Sequence, residues 1–453
     1  MTDSEGGLPT PRRHWAMLAL SLSIALAVLD GAVATVALPV IARDMQISDA
    51  ASIWIVNASQ LVMMVTLMPL AALGDRIGYR RIYQTGVVVF SLASLGAALS
   101  QTLPELIAAR MLQGLGASGI MSLNAAMVRL IWPHRQLGRG MGVMALIVTS
   151  TSTAAPAIGS LVLGVASWHW LFAMNVPLGI AATVVGAFAL PATPGSDRTF
   201  DWRSAVLTAA TFGLLVVGLR GLGADDVRPA LAELAGALAV GVVLVRRELG
   251  MRTPLLPLDL IRIPIIGLSA LTAIMSFSAQ TMGLVALPFL LQGTMGRTTV
   301  ETGLLLTAWA LATTVMAPVA GRLADRYPAG VLGGIGLAVM ACGLLLIGLQ
   351  PPTASNFDLA WPLAVCGVGF GFYQTPNNRT IMISAPLERS GGAAGLVASA
   401  RVLGQTLGSI SVALMFHSFS TGAPRMALFV GACVAAVGSG ISLTRLRAPA
   451  ATS

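Results

Sequence analysis

Long apolar runs, broken by short polar segments, recur along almost the whole chain. About 20 apolar residues suffice for a helix to cross the ~30 Å hydrocarbon core of a bilayer. Fourteen runs reach that length. They cover residues 14–40, 52–73, 82–102, 104–131, 138–165, 169–191, 203–222, 228–246, 264–292, 301–321, 329–350, 359–384, 391–417 and 425–444. The pattern predicts an all-α, polytopic membrane protein with 14 transmembrane helices. If the two runs at 203–246, which contain Arg220 and Glu233, do not span, twelve remain.

Composition excludes a soluble protein. The chain has 453 residues, of which 56% are hydrophobic and only 10% are charged, whereas about a quarter of the residues in soluble proteins are charged. Arg12 and Arg13 precede the first apolar run, as in a signal peptide, but that run is too long for one and many similar runs follow. We expect it to be a permanent span.

The distribution of arginine predicts the orientation. The chain has a formal charge of +9, and its 27 basic residues are all arginines. With a cytoplasmic N-terminus, 20 arginines fall in inner segments, five in outer segments, and two, Arg110 and Arg401, within spans. This bias follows the positive-inside rule. Both termini are therefore predicted to be cytoplasmic, in a cell inner membrane, and the positive charge suits anionic lipid better than nucleic acid.

A short internal repeat divides the chain into halves. Leu73-Gly74-Asp75-Arg76 after the second run is echoed by Leu323-Ala324-Asp325-Arg326 after the tenth. Weak symmetry between halves is typical of secondary transporters. We predict an N-terminal tail (1–13), a six-helix bundle (14–191), a linker with two inserted helices (192–246), a cytoplasmic interfacial segment (247–263), a second six-helix bundle (264–447) and a C-terminal tail (448–453).

Two charged residues stand out within the spans. Asp30 is the only charged residue between Trp15 and Ile41, and a charge at mid-membrane costs at least about 2.5–3.5 kcal/mol. By helix rise, Asp30 lies ~14 Å from Pro39 and Arg110 lies ~9 Å from Pro104, so an ion pair is feasible. Such a pair holds the acid ionised until a proton or cationic substrate competes for it, as an antiporter requires. Alternatively, Asp30 serves only packing and Arg110 extends towards the surface.

Further candidates are charges at the ends of spans and polar groups within them. We interpret the repeated loops as conformational latches, or alternatively as topogenic charges; their residues are Asp75, Arg76, Gly78, Arg80, Asp325 and Arg326. The span-five residues Pro156 and Gly159 indicate either a bent or a closely packed helix. Arg401, with Gln405 one turn on, could bind an anion, pair with an acid or brace the bundle.

The substrate cavity is predicted from polar groups that would otherwise go unsatisfied in lipid, with adaptable apolar side chains beside them. The alternative is that the amides join helices together. The candidates are Asn57, Gln60, Phe277, Gln280, Met282, Tyr373, Gln374, Asn377 and Asn378.

Several motifs together resemble the major facilitator superfamily, and within it the fourteen-helix drug:proton antiporter branch. They are Leu29-Asp30 to Pro39, Gly74 to Arg81, Arg110-Met111-Leu112-Gln113-Gly114, Pro156 to Gly159, and Trp168 to Gly179. The resemblance implies alternating access and proton-driven export of hydrophobic, often cationic, compounds. It also implies that Asp30 is the proton-linked acid, that Arg110 is the buried arginine of span four, and that Asp75 and Arg76 form a gating loop.

These observations predict a proton-coupled exporter of drugs or toxic compounds rather than an enzyme. No Walker-type ATP-binding sequence is present, and we expect no cofactor beyond the proton gradient, no bound metal and no nucleic acid. The expected partners are a small-molecule substrate, protons and the bilayer, with the protein a monomer. The alternatives are a dedicated exporter of one metabolite or antibiotic, an uptake symporter, or a receptor or scaffold that moves nothing.

Overall fold

The computed structural model describes residues 7–133, 136–193, 195, 200–221, 226–251, 258–386, 389–419 and 422–447. The N-terminal half contains α1 (Thr10–Asp44), α2 (Asp49–Ile77), α3 (Tyr79–Leu99), α4 (Leu103–Ile131), α5 (Leu137–Val165), α6 (His169–Ala173) and α7 (Asn175–Ala189). The linker contains α8 (Trp202–Gly221), α9 (Arg228–Leu249) and α10 (Leu258–Ile261). The C-terminal half contains α11 (Pro264–Phe289) with a π-helical extension (Leu290–Thr294), α12 (Thr299–Leu323), α13 (Ala329–Gly348), α14 (Asn356–Ser384), α15 (Ser390–Ser418), α16 (Ala423–Thr444) and a final 3₁₀ turn (Arg445–Arg447).

The predicted all-α, polytopic membrane fold is confirmed. Among the described residues, 13 helical segments are long and apolar enough to cross a membrane, with α6 and α7 counted as one. The remaining long helix, α14, has 29 residues but is more polar, because it carries the sequence from Gln374 to Arg379. It packs against α12 and α13, as α4 packs against α2 and α3.

Two predicted boundaries differ from the structure. Asp75 and Arg76, expected in a loop, lie in the last turn of α2, and Gly78 alone joins α2 to α3. Gly78 has φ 101°, and a Cβ there would lie 2.3 Å from the carbonyl oxygen of Thr193, so only glycine fits. The predicted span 169–191 is two helices, because Pro177 has no N–H to donate towards the preceding turn.

The internal repeat is visible in how the helices pack. A Cβ on Gly116 of α4 would lie 2.7 Å from the carbonyl oxygen of Gly86 in α3. In the other half, a Cβ on Gly369 of α14 would lie 2.6 Å from the carbonyl oxygen of Gly336 in α13. Both halves therefore use glycine to bring the same pair of helices into close contact.

The two halves meet along α1–α11, α2–α15 and α5–α12. We call the face where α1 begins the inner face and the face where it ends the outer face. Near the outer face, Arg43 donates to Gln292 at 3.1 Å. Leu38 is buried, whereas Gly31, two turns nearer the inner face on the same side of α1, is exposed, and a Cβ placed there would have no atom within 4 Å. The halves are thus sealed towards the outer face, with open space beside Gly31.

The inserted helices α8 and α9 form an antiparallel pair beside α2 and α15. Val216 of α8 packs against Met64 of α2, and Arg247 pairs with Asp201 at 2.9 Å where the two helices approach the inner face. Only 22% and 17% of their apolar windows are buried, so most of their surface faces outwards. We infer that this pair lies outside the transport path.

Reporter fusions test the orientation of this pair. Fusions at residues 225 and 252, both outside the described residues, should report the outer and the cytoplasmic side respectively, because α8 and α9 each have the length of a span. Fusions at residues 13 and 447 are also predicted to report the cytoplasmic side. A cytoplasmic signal at both 225 and 252 would leave twelve spans and contradict this arrangement.

Candidate functional site

Asp30 of α1 is buried and accepts hydrogen bonds from three side chains. Arg110 of α4 pairs with Asp30 through Nη1 and Oδ2. Gln113 of α4 donates from Nε2 to Oδ1 at 3.1 Å, and Asn175 at the start of α7 donates from Nδ2 to the same oxygen at 3.0 Å. The ionised carboxylate therefore has a cation and two neutral donors within the bundle.

Arg110 has acceptors besides Asp30. Its Nη1 donates to Gln113 Oε1 at 2.7 Å, its Nε to the carbonyl oxygen of Ile55 at 3.0 Å, and its Nη2 to Ser59 Oγ at 3.1 Å. Its Cζ lies 5.6 Å from the centre of the Phe172 ring. The Arg110 guanidinium is only 1% exposed. It would keep these neutral acceptors if Asp30 lost its charge.

The local sequence explains how these groups come together. Arg110 and Gln113 are three residues apart, so they share one face of α4. A Cβ on Gly114 would lie 2.3 Å from the carbonyl oxygen of Ser59, so glycine brings α4 close enough to α2 for Arg110 to reach that backbone. The helix break before Asn175 directs that residue at Asp30.

The sequence predicted the ion pair but not its amide partners. Gln113 and Asn175 lie in the motifs that carry the family resemblance, but that resemblance implies no role for them. Ser94, which accepts from Gln113 at 2.8 Å, has no distinguishing feature in the sequence. The signal available for Gln113 was its three-residue spacing from Arg110. Asn175 offered only its polarity within an apolar run.

The latch residues lie near the inner face. Asp75 accepts a hydrogen bond from Tyr79 at 2.6 Å, and the backbone N–H of Arg80 donates to Thr193 Oγ1 at 3.0 Å. In the second half, Asp325 pairs with Arg379 of α14 at 2.5 Å, and both are largely exposed. Arg76 and Arg326 are also exposed.

Pro156 and Gly159 are buried where α5 meets both α1 and the other half. A Cβ on Gly159 would lie 3.2 Å from Val33 in α1. A Cβ on Gly303 of α12 would lie 2.6 Å from the carbonyl oxygen of Pro156. Close packing therefore explains the small residues of α5, and the same helix connects the neighbourhood of Asp30 to the C-terminal half.

The predicted cavity residues divide into two groups. The partly exposed ones are Gln60, Gln280, Gln374 and Asn378. The buried ones are Asn57, Phe277, Met282, Tyr373 and Asn377. The buried group does not face open space in this conformation, because protein neighbours cover it: Asn57 accepts from Ser409 across the seam between the halves. Substrate binding by any of these residues stays a prediction.

Asn377 has a structural partner that the sequence did not suggest. Arg445, expected only as a topogenic charge, turns inwards after α16 and donates from Nη1 to Asn377 Oδ1 at 2.7 Å and to Ser269 Oγ at 3.0 Å. Asn377 in turn donates to the carbonyl oxygen of Ser269 at 3.3 Å. These bonds join α11, α14 and the last 3₁₀ turn.

The ion pair predicts a non-additive mutant cycle. Arg110→Met should destabilise the protein by about 3–5 kcal/mol, because it leaves Asp30 buried without its cation. The double variant Asp30→Asn/Arg110→Met should recover much of that loss. Thermal unfolding of the two single variants, Asp30→Asn and Arg110→Met, and of the double variant measures these effects. If the destabilisation of the double variant equals the sum of the two single ones, the pair is not coupled.

A second comparison separates packing amides from exposed ones. Asn377→Ala should cost about 1–3 kcal/mol, because Arg445 loses a buried acceptor. Gln374→Ala, one turn away on α14 and partly exposed, should leave the unfolding temperature nearly unchanged. Equal unfolding temperatures for the two variants would contradict the structural role of Asn377.

Comparisons with known proteins agree with this architecture. Residues 20–409 match the Major Facilitator Superfamily. The chain is 48% identical over 446 residues to the uncharacterized transporter YebQ of Escherichia coli (strain K12), with 98% of each covered. It is 25% identical to the riboflavin transporter RibZ of Clostridioides difficile (strain 630), covering 88% of this chain and 87% of that protein. It is 29% identical to the tetracenomycin C resistance and export protein of Streptomyces glaucescens, covering 90% and 76%. A solved bacterial homolog of the human lysosomal transporter Spinster, in an inward-facing conformation, has a TM-score of 0.70 at 15% identity, covering 97% and 98%.

Proposed function

Because this chain belongs to the Major Facilitator Superfamily, we propose that it exports hydrophobic, toxic compounds in exchange for protons. It is a membrane transporter and not an enzyme. The observation that carries the proposal is the buried Asp30, whose ionised form is held by Arg110, Gln113 and Asn175. A carboxylate in the interior of a membrane protein is by default part of a proton or ion pathway.

The surroundings of Asp30 suit a reversible change of charge. When a proton binds Asp30, Arg110 loses its counterion but keeps the oxygens of Gln113, Ile55 and Ser59. The protonated carboxyl group still accepts from Asn175 and gains a donor of its own. Arg110 keeps its neutral acceptors although it loses its counterion, so protonation shifts the balance of contacts among α1, α4 and α7.

A short path of contacts links that site to the seam between the halves. Asp30 lies one turn from Val33, which packs against Gly159 of α5. On its other side, α5 packs against α12, where Thr153 and Thr314 share a hydrogen bond of 2.7 Å. A shift of α1 on protonation would be felt by α5 and hence by the C-terminal half, which is the coupling that alternating access requires.

The α2–α3 and α12–α13 connections at the inner face, with the helix ends beside them, would act as latches. We assign Asp75, Arg76, Gly78 and Arg80 to one latch, with Asp325 and Arg326 as its repeat. The exposed Asp325–Arg379 pair can be made or broken at low cost, since exposed ion pairs contribute only about 0–1 kcal/mol. We further propose that the protein works as a monomer in the inner membrane with both termini cytoplasmic, powered by the proton gradient without a cofactor.

The substrate range has alternatives. A relative named for export of one antibiotic favours a dedicated exporter, and a relative named as a riboflavin transporter keeps uptake open. We prefer export because the motifs around Asp30, from Gly74 to Arg81 and around Arg110 resemble the drug:proton antiporter branch. Opposite substrate fluxes under the same imposed pH gradient distinguish export by antiport from uptake by symport.

Proteoliposomes containing Asp30→Asn test the proposed coupling. Asn keeps the shape of Asp but cannot titrate, so a pH gradient should no longer drive substrate accumulation, whereas exchange of labelled for unlabelled substrate at equal pH should continue. Asp226→Asn, which alters an exposed acid before α9, is the matched control and should behave as wild type. Accumulation driven by the pH gradient in the Asp30→Asn variant would refute the proposal.

A further inference from the structure

Arg401 places a positive charge between the two halves. On α15, Gly404 and Gly408 pack against α11, and Ser409 bonds to α2. By helical spacing, Arg401 projects between these two faces. Its Nη2 lies 3.8 Å from the sulfur of Met121 in α4, so the guanidinium extends from the C-terminal half to the N-terminal half.

Among the described residues, this cation has no counterion. In the part of the chain that the structure describes, Arg401 forms no ion pair, and its Nε is buried without a partner. Its polar contact is the thioether of Met121, which is a weak acceptor. Among the described residues, Asp30 is the only buried carboxylate of the two six-helix bundles, and Arg110 already neutralises it.

Among the described residues, the buried arginines Arg110 and Arg445 have more partners than Arg401, which is only partly buried. Arg110 is paired with an acid and has three neutral acceptors. Arg445 has no acid but donates to Ser269, Asn377 and Ser442. Both arginines thereby recover hydrogen bonds that they lose on leaving water. Arg401 makes no bond to an oxygen acceptor in the described part of the chain, and its partial exposure leaves it accessible to a partner that arrives from outside the chain.

We propose that Arg401 binds a carboxylate on the transported compound, so that the substrates are amphipathic anions. The planar guanidinium fork matches the two oxygens of a carboxylate. Gln405, one turn along α15 and partly exposed, supplies an amide on the same side, and Met121 supplies an adaptable apolar contact. The inference rests on the proposed export function, and it replaces the sequence-based expectation of cationic substrates.

Binding by purified protein in lipid nanodiscs tests the charge of the substrate. The probes are three amphipathic carboxylates, fusidate, mupirocin and nalidixate, and two amphipathic cations, ethidium and tetraphenylphosphonium. At least one carboxylate should raise the thermal-unfolding midpoint of the wild type, and neither cation should. The Arg401→Gln variant should need a roughly tenfold higher concentration of that carboxylate for the same rise in midpoint, a loss of about 1.4 kcal/mol in binding free energy. The Arg401→Lys variant should retain part of the stabilisation by the carboxylate.

Arg228→Gln, which removes an exposed arginine at the start of α9, is the matched control and should respond as wild type does. Stabilisation by the cations, no response to any carboxylate, or a full response in Arg401→Gln would each overturn the proposal. This assay measures binding without a proton gradient, while the Asp30→Asn assay measures coupling. Either proposal can therefore fail without the other.

Discussion

Much of the N-terminal half is arranged to keep one carboxylate charged in an interior that solvates charge poorly. Asp30 is 5% exposed, and an isolated ion in such surroundings would cost several kcal/mol. Arg110 offsets that cost only because α4 lies close to α2, and that approach depends on Gly114. Gln113 and Asn175 supply the remaining donors. The electrostatics of the site therefore depend on the close packing of small residues around it.

The same use of small residues gives the fold its two-part construction. Glycines join α3 to α4 and α13 to α14 at corresponding places, so each half is a tightly packed body. Across the seam between the halves, side-chain hydrogen bonds join Thr153 to Thr314 and Arg43 to Gln292. Apolar side chains of α1 and α11 also pack across the seam, among them Leu38 and Phe289. We propose that charge at Asp30 and contact at the seam are coupled through α5, which packs against both α1 and α12.

The sequence predicted the features that the bilayer penalises most. Charges within apolar runs are rare and costly, so Asp30 and Arg110 could be identified and even matched in depth. Amides within apolar helices serve both packing and binding, so the sequence could not distinguish the partners of Asp30 from the predicted cavity residues. Asn377 shows why: its partner Arg445 lies 68 residues along the chain, among the arginines that the sequence places in inner segments. The sequence also did not predict that α2 extends through Asp75 to Ile77, with Gly78 as the whole connection to α3.

The central claim is that Asp30 changes its protonation state during transport. Difference infrared spectroscopy of the protein in lipid, recorded while the pH is lowered in steps, observes that change directly through the C=O stretching band of a protonated carboxylic acid. The account predicts a band in the wild type that is absent in Asp30→Asn and whose midpoint pH shifts when substrate is added. An identical set of bands in both proteins at every pH would show that Asp30 does not titrate, and would contradict the account.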